Sequence, residues 1–277
     1  MTAVAKSVLI TGSTGRVGGA LRAVWADNLA GGVPILWHGR RAGPGVDVIW
    51  DIGQNPPVGL PEGGIVLHLA GLTRGSAAAL DENRKVTAAV CGAVRAAHHF
   101  VMSSAAVYAP GADPIAESVP PAPTSDYGRA KLAAERAAQA VAGDRVTVLR
   151  LANLAGADAL LGNCLLGRMV TLDPIVGQAR GPERSYIGPR VLAQALAALF
   201  GRVGGLPAVV NLAQLGVIAM ADLLAARGQP WCFGPPRAGA VARVALATDV
   251  LAGLVPLPPA TAASVVADLD SVPGWPR

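Results

Sequence analysis

A short apolar segment that runs into a glycine-rich turn constrains this chain more than any other feature. Residues 7–10 read S-V-L-I and are followed by T-G-S-T-G-R-V-G at Thr11–Gly18. Gly12 permits a tight turn, Gly15 lets the backbone approach a pyrophosphate, and Gly18 lets the next helix pack closely on the sheet. The pattern predicts a strand, a turn and a helix that open a dinucleotide-binding fold, with an ordinary strand–turn–helix as the alternative.

Apolar strand-like runs alternate with helical segments, which is typical of a parallel sheet made of βαβ units. The sequence predicts strands at 7–10, 34–37, 46–50, 65–69, 100–103, 147–150 and 208–212, and helices at 16–28, 82–97, 127–142 and 191–200. Five prolines exclude regular structure from residues 110–123, and we expect an irregular C-terminus. The predicted fold class is α/β, a Rossmann-like doubly wound parallel sheet with a small C-terminal substrate lobe. Residues 1–150 would form the cofactor domain, and residues 151–277 would complete the sheet and contribute the substrate region.

Composition excludes several classes of protein. The chain of 277 residues is 52% hydrophobic and 15% charged, which excludes disorder. Its apolar runs are too short for a membrane span, and the apolar run near its N-terminus is too short for the core of a signal peptide. Cys91, Cys164 and Cys232 are scattered, so we expect buried thiols, with neither a disulfide framework nor a metal site. These features predict a cytoplasmic protein.

The net charge of +5 comes from dispersed basic residues. They form no runs, and no aromatic residues are interleaved with them, so we expect no nucleic-acid partner. A small anionic ligand explains the surplus.

Three polar residues in the middle of the chain predict acid–base chemistry. Tyr127 and Lys131 stand four residues apart in D-Y-G-R-A-K and share one helix face. The charge of Lys131 would lower the pKa of the Tyr127 phenol, and its amine would also hold a nicotinamide ribose. Ser104 ends an apolar strand and would hydrogen-bond the substrate oxygen where charge develops. The alternative is an ordinary tyrosine and lysine on a helix surface.

The end of the second strand bears on cofactor choice. A site that prefers NAD places an acidic residue there to bind the ribose 2′-hydroxyl, but this chain reads W-H-G-R-R. The guanidinium groups of Arg40 and Arg41 would instead pair with a 2′-phosphate, so we predict NADP as the preferred cofactor, with NAD as the second choice. Two solvated loop arginines remain the alternative.

Together these motifs resemble an extended short-chain dehydrogenase/reductase of the NAD-dependent epimerase/dehydratase family. The resemblance runs from residue 8 to about residue 195 and implies a Rossmann-like fold that binds NAD(P). Asp51 and Ile52 stand where the family contacts adenine, and H-L-A-G at 68–71 is similar to its strand-four motif. Asn83 and Thr87 resemble its N-x-x-x-T helix signature, and S-S-A-A-V-Y at 103–108 aligns Ser104 with its catalytic serine or threonine. The cofactor-binding residues that the turn and the resemblance imply are Gly12, Thr14, Gly15, Arg16, Val17, Arg40, Arg41, Asp51, Ile52, Leu69, Ala70, Gly71, Tyr127 and Lys131.

The resemblance also implies substrate residues. Asn153 in L-R-L-A-N-L-A-G is similar to an asparagine that faces the substrate, as Ser104 does, and Arg184 in R-S-Y-I resembles an arginine that holds a nucleotide-sugar diphosphate. The chain departs from the family at Leu154, where proline is usual, and at Val191, where aspartate is usual. Its C-terminal portion is short for a nucleotide-sugar enzyme, so we expect a small anionic or polyhydroxy substrate.

The sequence thus predicts an NADP-preferring oxidoreductase that interconverts a secondary alcohol and a ketone on a sugar-like or small anionic substrate. Tyr127 would be the general acid/base, Ser104 would polarise the substrate, and Lys131 would support both cofactor and tyrosine. An epimerase or dehydratase with tightly bound cofactor is the close alternative, and a non-enzymatic NADP-binding regulator is the alternative from another class. The family suggests a homodimer.

The adjacent His98 and His99 are expected to end a helix, where cations are favoured.

Overall fold

The computed structural model describes residues 7–25, 32–272 and 274–275. Its helices are α1 (Arg16–Trp25), α2 (Ala77–Leu80), α3 (Glu82–Ala93), α4 (Asp126–Ala142), α5 (Ala159–Leu165), α6 (Pro189–Phe200), α7 (Met220–Ala226), α8 (Asp249–Leu254) and α9 (Ala262–Asp270). Two short 3₁₀ turns lie at Ala105–Val107 and Gly143–Arg145.

Seven strands form the main sheet: β1 (Val8–Thr11), β2 (Ile35–Gly39), β3 (Val48–Ile49), β4 (Ile65–His68), β5 (His98–Ser104), β6 (Val146–Leu151) and β11 (Val209–Leu212). Their order is β11-β6-β5-β4-β1-β2-β3, and every neighbouring pair is parallel. The order reverses beside β1, which is the doubly wound arrangement predicted from the sequence. The carboxyl ends of β1 and β4 flank this switch point, where α/β sheets of this kind bind ligands.

Helices cover both faces of the sheet because strand residues alternate between the faces. Val8 and Ile10 of β1 join a cluster with Leu21 of α1 and Leu196 of α6. Leu9, between them, packs in a cluster on the opposite face, where α3 also contributes. Further along that face, α4 packs against β5 and β6 in another cluster. The core therefore fixes α1 and α4 at the two faces from which the predicted site residues extend.

The second half of the chain adds small sheets outside the main one. The remaining strands are β7 (Asn153–Leu154), β8 (Val170–Leu172), β9 (Glu183–Arg184), β10 (Tyr186–Ile187), β12 (Ile218–Ala219), β13 (Trp231–Phe233) and β14 (Arg243–Val244). They pair as β10-β7, β12-β9-β14 and β13-β8. Around them, α5, α7 and α9 share a cluster with Tyr186 and Leu172. The division at residue 150 remains a prediction, although β11 does extend the main sheet.

The prediction for His98 and His99 is wrong. Helix α3 ends at Ala93 because Val94 adopts extended backbone angles, and both histidines begin β5 instead. Burial lowers the pKa of each to about 4, so neither is a helix-capping cation. The neutral His98 ring hydrogen-bonds the Thr147 hydroxyl at 2.9 Å. The apolar neighbours of β5 outweighed the tendency of histidine to lie at a helix end.

Three further expectations need revision. The C-terminus is not irregular, because α8 and α9 form there, and Thr261 caps α9 in a reciprocal bond with Ser264. Cys232 is exposed, in contrast to the buried Cys91 and Cys164, because β13 has only β8 beside it. The predicted first helix is described as far as Trp25, and its expected end at Asn28 lies outside the described residues.

Alanine substitutions at two glycines test how closely α4 packs against its neighbours. A Cβ at Gly128 in α4 would overlap the carbonyl oxygen of Ala106 and lie 2.9 Å from the Cβ of Pro123. A Cβ at the exposed Gly92 in α3 would meet nothing nearer than Val141 at 3.8 Å. We expect Gly128→Ala to lower the free energy of unfolding by about 1–3 kcal/mol, because the backbone must shift. Gly92→Ala should raise it by about 0.5–1 kcal/mol. Urea unfolding measures both, and equal effects would contradict this packing.

Candidate active site

The glycine-rich turn joins β1 to α1 with the geometry that its glycines allow. Gly12 has a φ of +68°, and a Cβ there would lie 2.7 Å from the backbone nitrogen of Ala70. A Cβ at Gly18 would lie 2.6 Å from the Cα of Ser13, so α1 packs too closely for any side chain. The turn therefore needs glycine at both positions. It leaves the backbone amides at the start of α1 for an anion such as a pyrophosphate.

A neutral histidine ties this turn to the end of β4. The His68 ring lies between the hydroxyls of Thr11 at 2.7 Å and Thr87 at 3.0 Å. Thr87 donates its proton to the carbonyl of Asn83, so His68 Nε2 donates to Thr87 and Nδ1 accepts from Thr11. Burial, followed by the charge of Lys131, lowers the pKa of His68 to about 3. Thr87 of the N-x-x-x-T signature thereby supports the strand-four motif.

A second histidine, which sequence analysis overlooked, supports the turn from β2. The backbone amide of Gly12 donates to His38 Nδ1 at 3.2 Å, and His38 Nε2 hydrogen-bonds the carbonyl of Trp50 at 2.8 Å. Burial lowers the pKa of His38, which keeps the ring neutral and able to accept. Arg40, just beyond it, is exposed. The sequence signal was a single histidine at a strand end, and nothing in its spacing indicated this contact.

The other predicted cofactor residues differ in exposure. Arg41 and Asp51 are exposed like Arg40, and Ile52 is partly buried. Leu69 and Ala70 donate their backbone amides to the Thr11 hydroxyl. At Gly71 a Cβ would lie 2.9 Å from the side-chain oxygen of Asn83, which holds the following loop through Leu72.

The structure brings Ser104, Tyr127 and Lys131 to one junction between β5 and α4. Ser104 is the last residue of β5, and its side chain hydrogen-bonds the Tyr127 hydroxyl. Ser125 caps the start of α4 by accepting from the amide of Gly128 at 3.1 Å, which places Tyr127 in the first turn. Lys131 follows one turn later, buried, and its Nζ donates to the carbonyl of Met102 at 2.8 Å. The i, i+4 spacing therefore places both residues where α4 packs against β5.

The expected effect of Lys131 on Tyr127 is not what the structure shows. Burial raises the pKa of the Tyr127 phenol above its ordinary value, and the hydrogen bond with Ser104 acts in the opposite direction. Burial lowers the pKa of Lys131 to about 8, against the influence of Glu135. The lysine amine is bonded to the Met102 carbonyl, so desolvation dominates at the phenol in this structure.

The two predicted substrate residues outside this junction are held by other groups. The Arg184 guanidinium donates to the carbonyls of Glu183 at 2.7 Å and Val241 at 2.9 Å. Asn153 hydrogen-bonds the buried Tyr186, whose hydroxyl donates to Asp158 at 3.0 Å. Burial raises the pKa of Asp158 to about 6. Arg184 is thus not positioned as a free anion-binding side chain.

A cavity of about 940 Å³ lies between the glycine-rich turn and α5. Thr14, Gly15 and Arg16 line it from the turn, whereas Ser104, Tyr127 and Lys131 do not. Arg16 also crosses to the second half of the chain and donates to the carbonyl of Ala157 at 3.0 Å. Four arginines give the cavity a positive lining, and they are Arg16, Arg22, Arg74 and Arg168.

The described residues contain neither a candidate metal site nor a candidate membrane-spanning helix. No group of three or more His, Cys, Asp or Glu side chains in that part of the chain is placed to hold a metal ion. Within the same residues, no helix has the length and apolar character needed to span a bilayer.

Solved structures with this fold are numerous, and their sequences are distant. A UDP-galactose 4-epimerase aligns with a TM-score of 0.73 and 19% identity over 95% of this chain and 98% of its own. The UDP-glucuronic acid 4-epimerase of Bacillus cereus, with UDP-glucuronic acid and NAD, aligns with a TM-score of 0.71 and 14% identity over 96% of this chain and 98% of its own. The dTDP-glucose 4,6-dehydratase of Streptomyces venezuelae, a double mutant with NAD bound, aligns with a TM-score of 0.69 and 18% identity over 97% of this chain and 98% of its own. The expectation that the C-terminal portion is short for such enzymes stays a prediction.

Family comparison supplies the sequence link. Among curated proteins no sequence matches the chain. Residues 61–171 match the model of the NAD-dependent epimerase/dehydratase family, and this span includes Ser104, Tyr127, Lys131 and Asn153. This match over residues 61–171, carried on a seven-stranded parallel sheet, confirms the predicted resemblance to the NAD-dependent epimerase/dehydratase family.

Proposed function

We propose that this enzyme interconverts a secondary alcohol and a ketone on a sugar-like substrate, with a nicotinamide dinucleotide bound at the turn between β1 and α1. The observation that carries this proposal is the junction of Ser104, Tyr127 and Lys131. Two glycines that tolerate no Cβ and the amides of α1 fit a dinucleotide. The bound cofactor would accept or return the hydride.

Tyr127 moves the proton that balances this hydride. In the direction of alcohol oxidation its phenolate takes the hydroxyl proton, and in the direction of ketone reduction its phenol returns one. The raised pKa of Tyr127 favours the phenol, which is the form needed for reduction. Ser104 hydrogen-bonds the same hydroxyl and would hold the substrate oxygen beside it. A charged Lys131 would stabilise the phenolate and donate to the cofactor ribose.

A second candidate, an epimerase or dehydratase that regenerates its cofactor in each cycle, is favoured by the family match and by the activities of the similar structures. It uses the same oxidation as its first step, so the same residues serve both readings. A non-enzymatic regulator would have no need of the set of Ser104, Tyr127 and Lys131. A cytoplasmic location and a homodimer stay predictions.

We also propose a preference for NADP, although the similar structures contain NAD. Arg40 and Arg41 are exposed at the end of β2, and His38 occupies the strand end without supplying a carboxylate. A 2′-phosphate would gain charge-assisted hydrogen bonds from these arginines.

The cofactor prediction compares two titrations. NADPH should bind more tightly than NADH by about 1–3 kcal/mol, because a charge-assisted pair forms only with the 2′-phosphate. Isothermal titration calorimetry measures both affinities. In Arg40→Gln/Arg41→Gln the difference should vanish, whereas Arg202→Gln, which removes an arginine at an exposed site beyond α6, should leave the difference unchanged. Equal affinities in the wild type, or tighter NADH binding, would refute the preference and leave the fold unaffected.

The acid/base prediction concerns a single hydroxyl. Tyr127→Phe should keep cofactor affinity but lower turnover by about 10²-fold or more, because only the proton carrier is lost. Thr147→Val, which also removes a buried hydroxyl but one that contacts His98 and Pro207 instead of the junction, is the control for non-specific damage and should retain most of the turnover. The measurement is the single-turnover rate at which the substrate oxidises the reduced cofactor bound to the enzyme. Near-normal turnover in Tyr127→Phe would remove Tyr127 from the mechanism.

The substrate prediction uses a thermal-shift panel with NADP present. Because Arg184 is bonded to backbone carbonyls, we expect sugar acids and sugar phosphates to raise the melting temperature more than UDP- or GDP-sugars do. A large shift with a nucleotide-sugar that Arg184→Ala abolishes would reverse this order. It would then place the epimerase or dehydratase reading first.

A further inference from the structure

One face of α4 carries three polar side chains at intervals of four residues: Tyr127, Lys131 and Glu135. Each contacts one of three consecutive residues of β5. Tyr127 bonds the Ser104 side chain, Lys131 donates to the Met102 carbonyl, and the Ser103 hydroxyl donates to Glu135 Oε1. Glu135 therefore belongs to the same helix–strand junction as the proposed catalytic residues.

The Glu135 carboxylate is fixed in a buried network. Arg150 of β6 donates to both of its oxygens, through Nε at 3.1 Å and Nη2 at 2.8 Å. The third contact of the guanidinium is the Tyr108 hydroxyl at 2.8 Å, which in turn donates to Asn211 at 3.0 Å. The side chains of Arg150 and Glu135 are 5% and 4% exposed. Ser103 of β5 and Arg150 of β6 thus hold the Glu135 carboxylate from two neighbouring strands.

Titratable groups approach Lys131 from α4 and from β4. Glu135 lies one turn away on α4, Tyr127 one turn away in the other direction, and neutral His68 interacts from β4. Burying an ammonium is costly unless an opposite charge accompanies it. The pKa of Lys131 falls to about 8 through burial, and the Glu135 carboxylate opposes that fall. Without the carboxylate, the amine would lose its proton at lower pH.

We propose that Glu135 is a positioning residue for the reaction, whose carboxylate keeps the buried Lys131 amine charged and in place beside Tyr127. The inference rests on the proposed function, in which a charged Lys131 stabilises the Tyr127 phenolate. A purely structural Glu135 would pair with Arg150 and leave the protonation of Lys131 unaffected. The two roles therefore differ in one measurable quantity, the pH at which Lys131 titrates.

The chain has three lysines, Lys6, Lys85 and Lys131, so protein labelled with ¹³C at lysine Cε gives a simple spectrum. Lys131→Arg and Lys85→Arg assign the signals. In Glu135→Gln we expect the titration midpoint of Lys131 to move below its value of about 8 by about one pH unit or more. Glu82→Gln removes the exposed carboxylate that pairs with Lys85 and should leave the Lys131 midpoint unchanged.

A second comparison covers the case in which Glu135→Gln fails to fold with Arg150 unpaired. Arg150→Gln and Glu135→Gln/Arg150→Gln differ only in the Glu135 charge, and the lower midpoint should appear in the double variant. An unchanged Lys131 midpoint in whichever pair folds would overturn the proposal. The readout needs neither cofactor nor substrate. Failure to bind any dinucleotide would therefore refute the proposed function while leaving the Glu135–Lys131 coupling testable.

Discussion

The junction between β5 and α4 is the constraint on which the rest of the site depends. Polar contacts from three consecutive strand residues, Met102 to Ser104, reach one face of the helix. Gly128 lets the helix approach the Ala105–Val107 turn so closely that a methyl group would not fit. Because backbone and buried side chains hold the junction together, the packing of α4 on β5 keeps Tyr127 next to Ser104. Such preorganisation is what acid–base catalysis at a fixed oxygen requires.

On the other side of the site, two neutral histidines hold the glycine-rich turn. His38, on β2, accepts a hydrogen bond from the backbone amide of Gly12. His68, on β4, links Thr11 of β1 to Thr87 of α3. Burial keeps both rings uncharged, so each can accept at one nitrogen and donate at the other. The turn is thereby tied to both neighbouring strands, which fixes where the amides of α1 point. A charged imidazolium would lose the acceptor nitrogen and break the connection.

The second half of the chain resembles the similar structures in fold, but two of its polar residues are engaged differently from the prediction. Arg184 is bonded to carbonyls of its own small sheet, and Asn153 is bonded to Tyr186. Both residues make hydrogen bonds to buried backbone or side-chain groups. Breaking such bonds in a low-dielectric interior is costly, because the partners would be left unsatisfied. The arginine-lined cavity beside α5 instead presents cations next to the turn. Similarity of fold thus does not carry the details of a binding site with it.

The sequence by itself determined the parallel α/β order, the glycine turn and the spacing of Tyr127 and Lys131, because periodicity, glycine and i, i+4 geometry are local properties. Only the tertiary structure decided that His98 and His99 begin a buried strand, that Arg184 is engaged by carbonyls, and that the pKa of Tyr127 rises. It also decided that Glu135 and Arg150 meet next to Lys131. These outcomes depend on burial and on partners distant along the chain, and no local pattern encodes which side chains will share an interior.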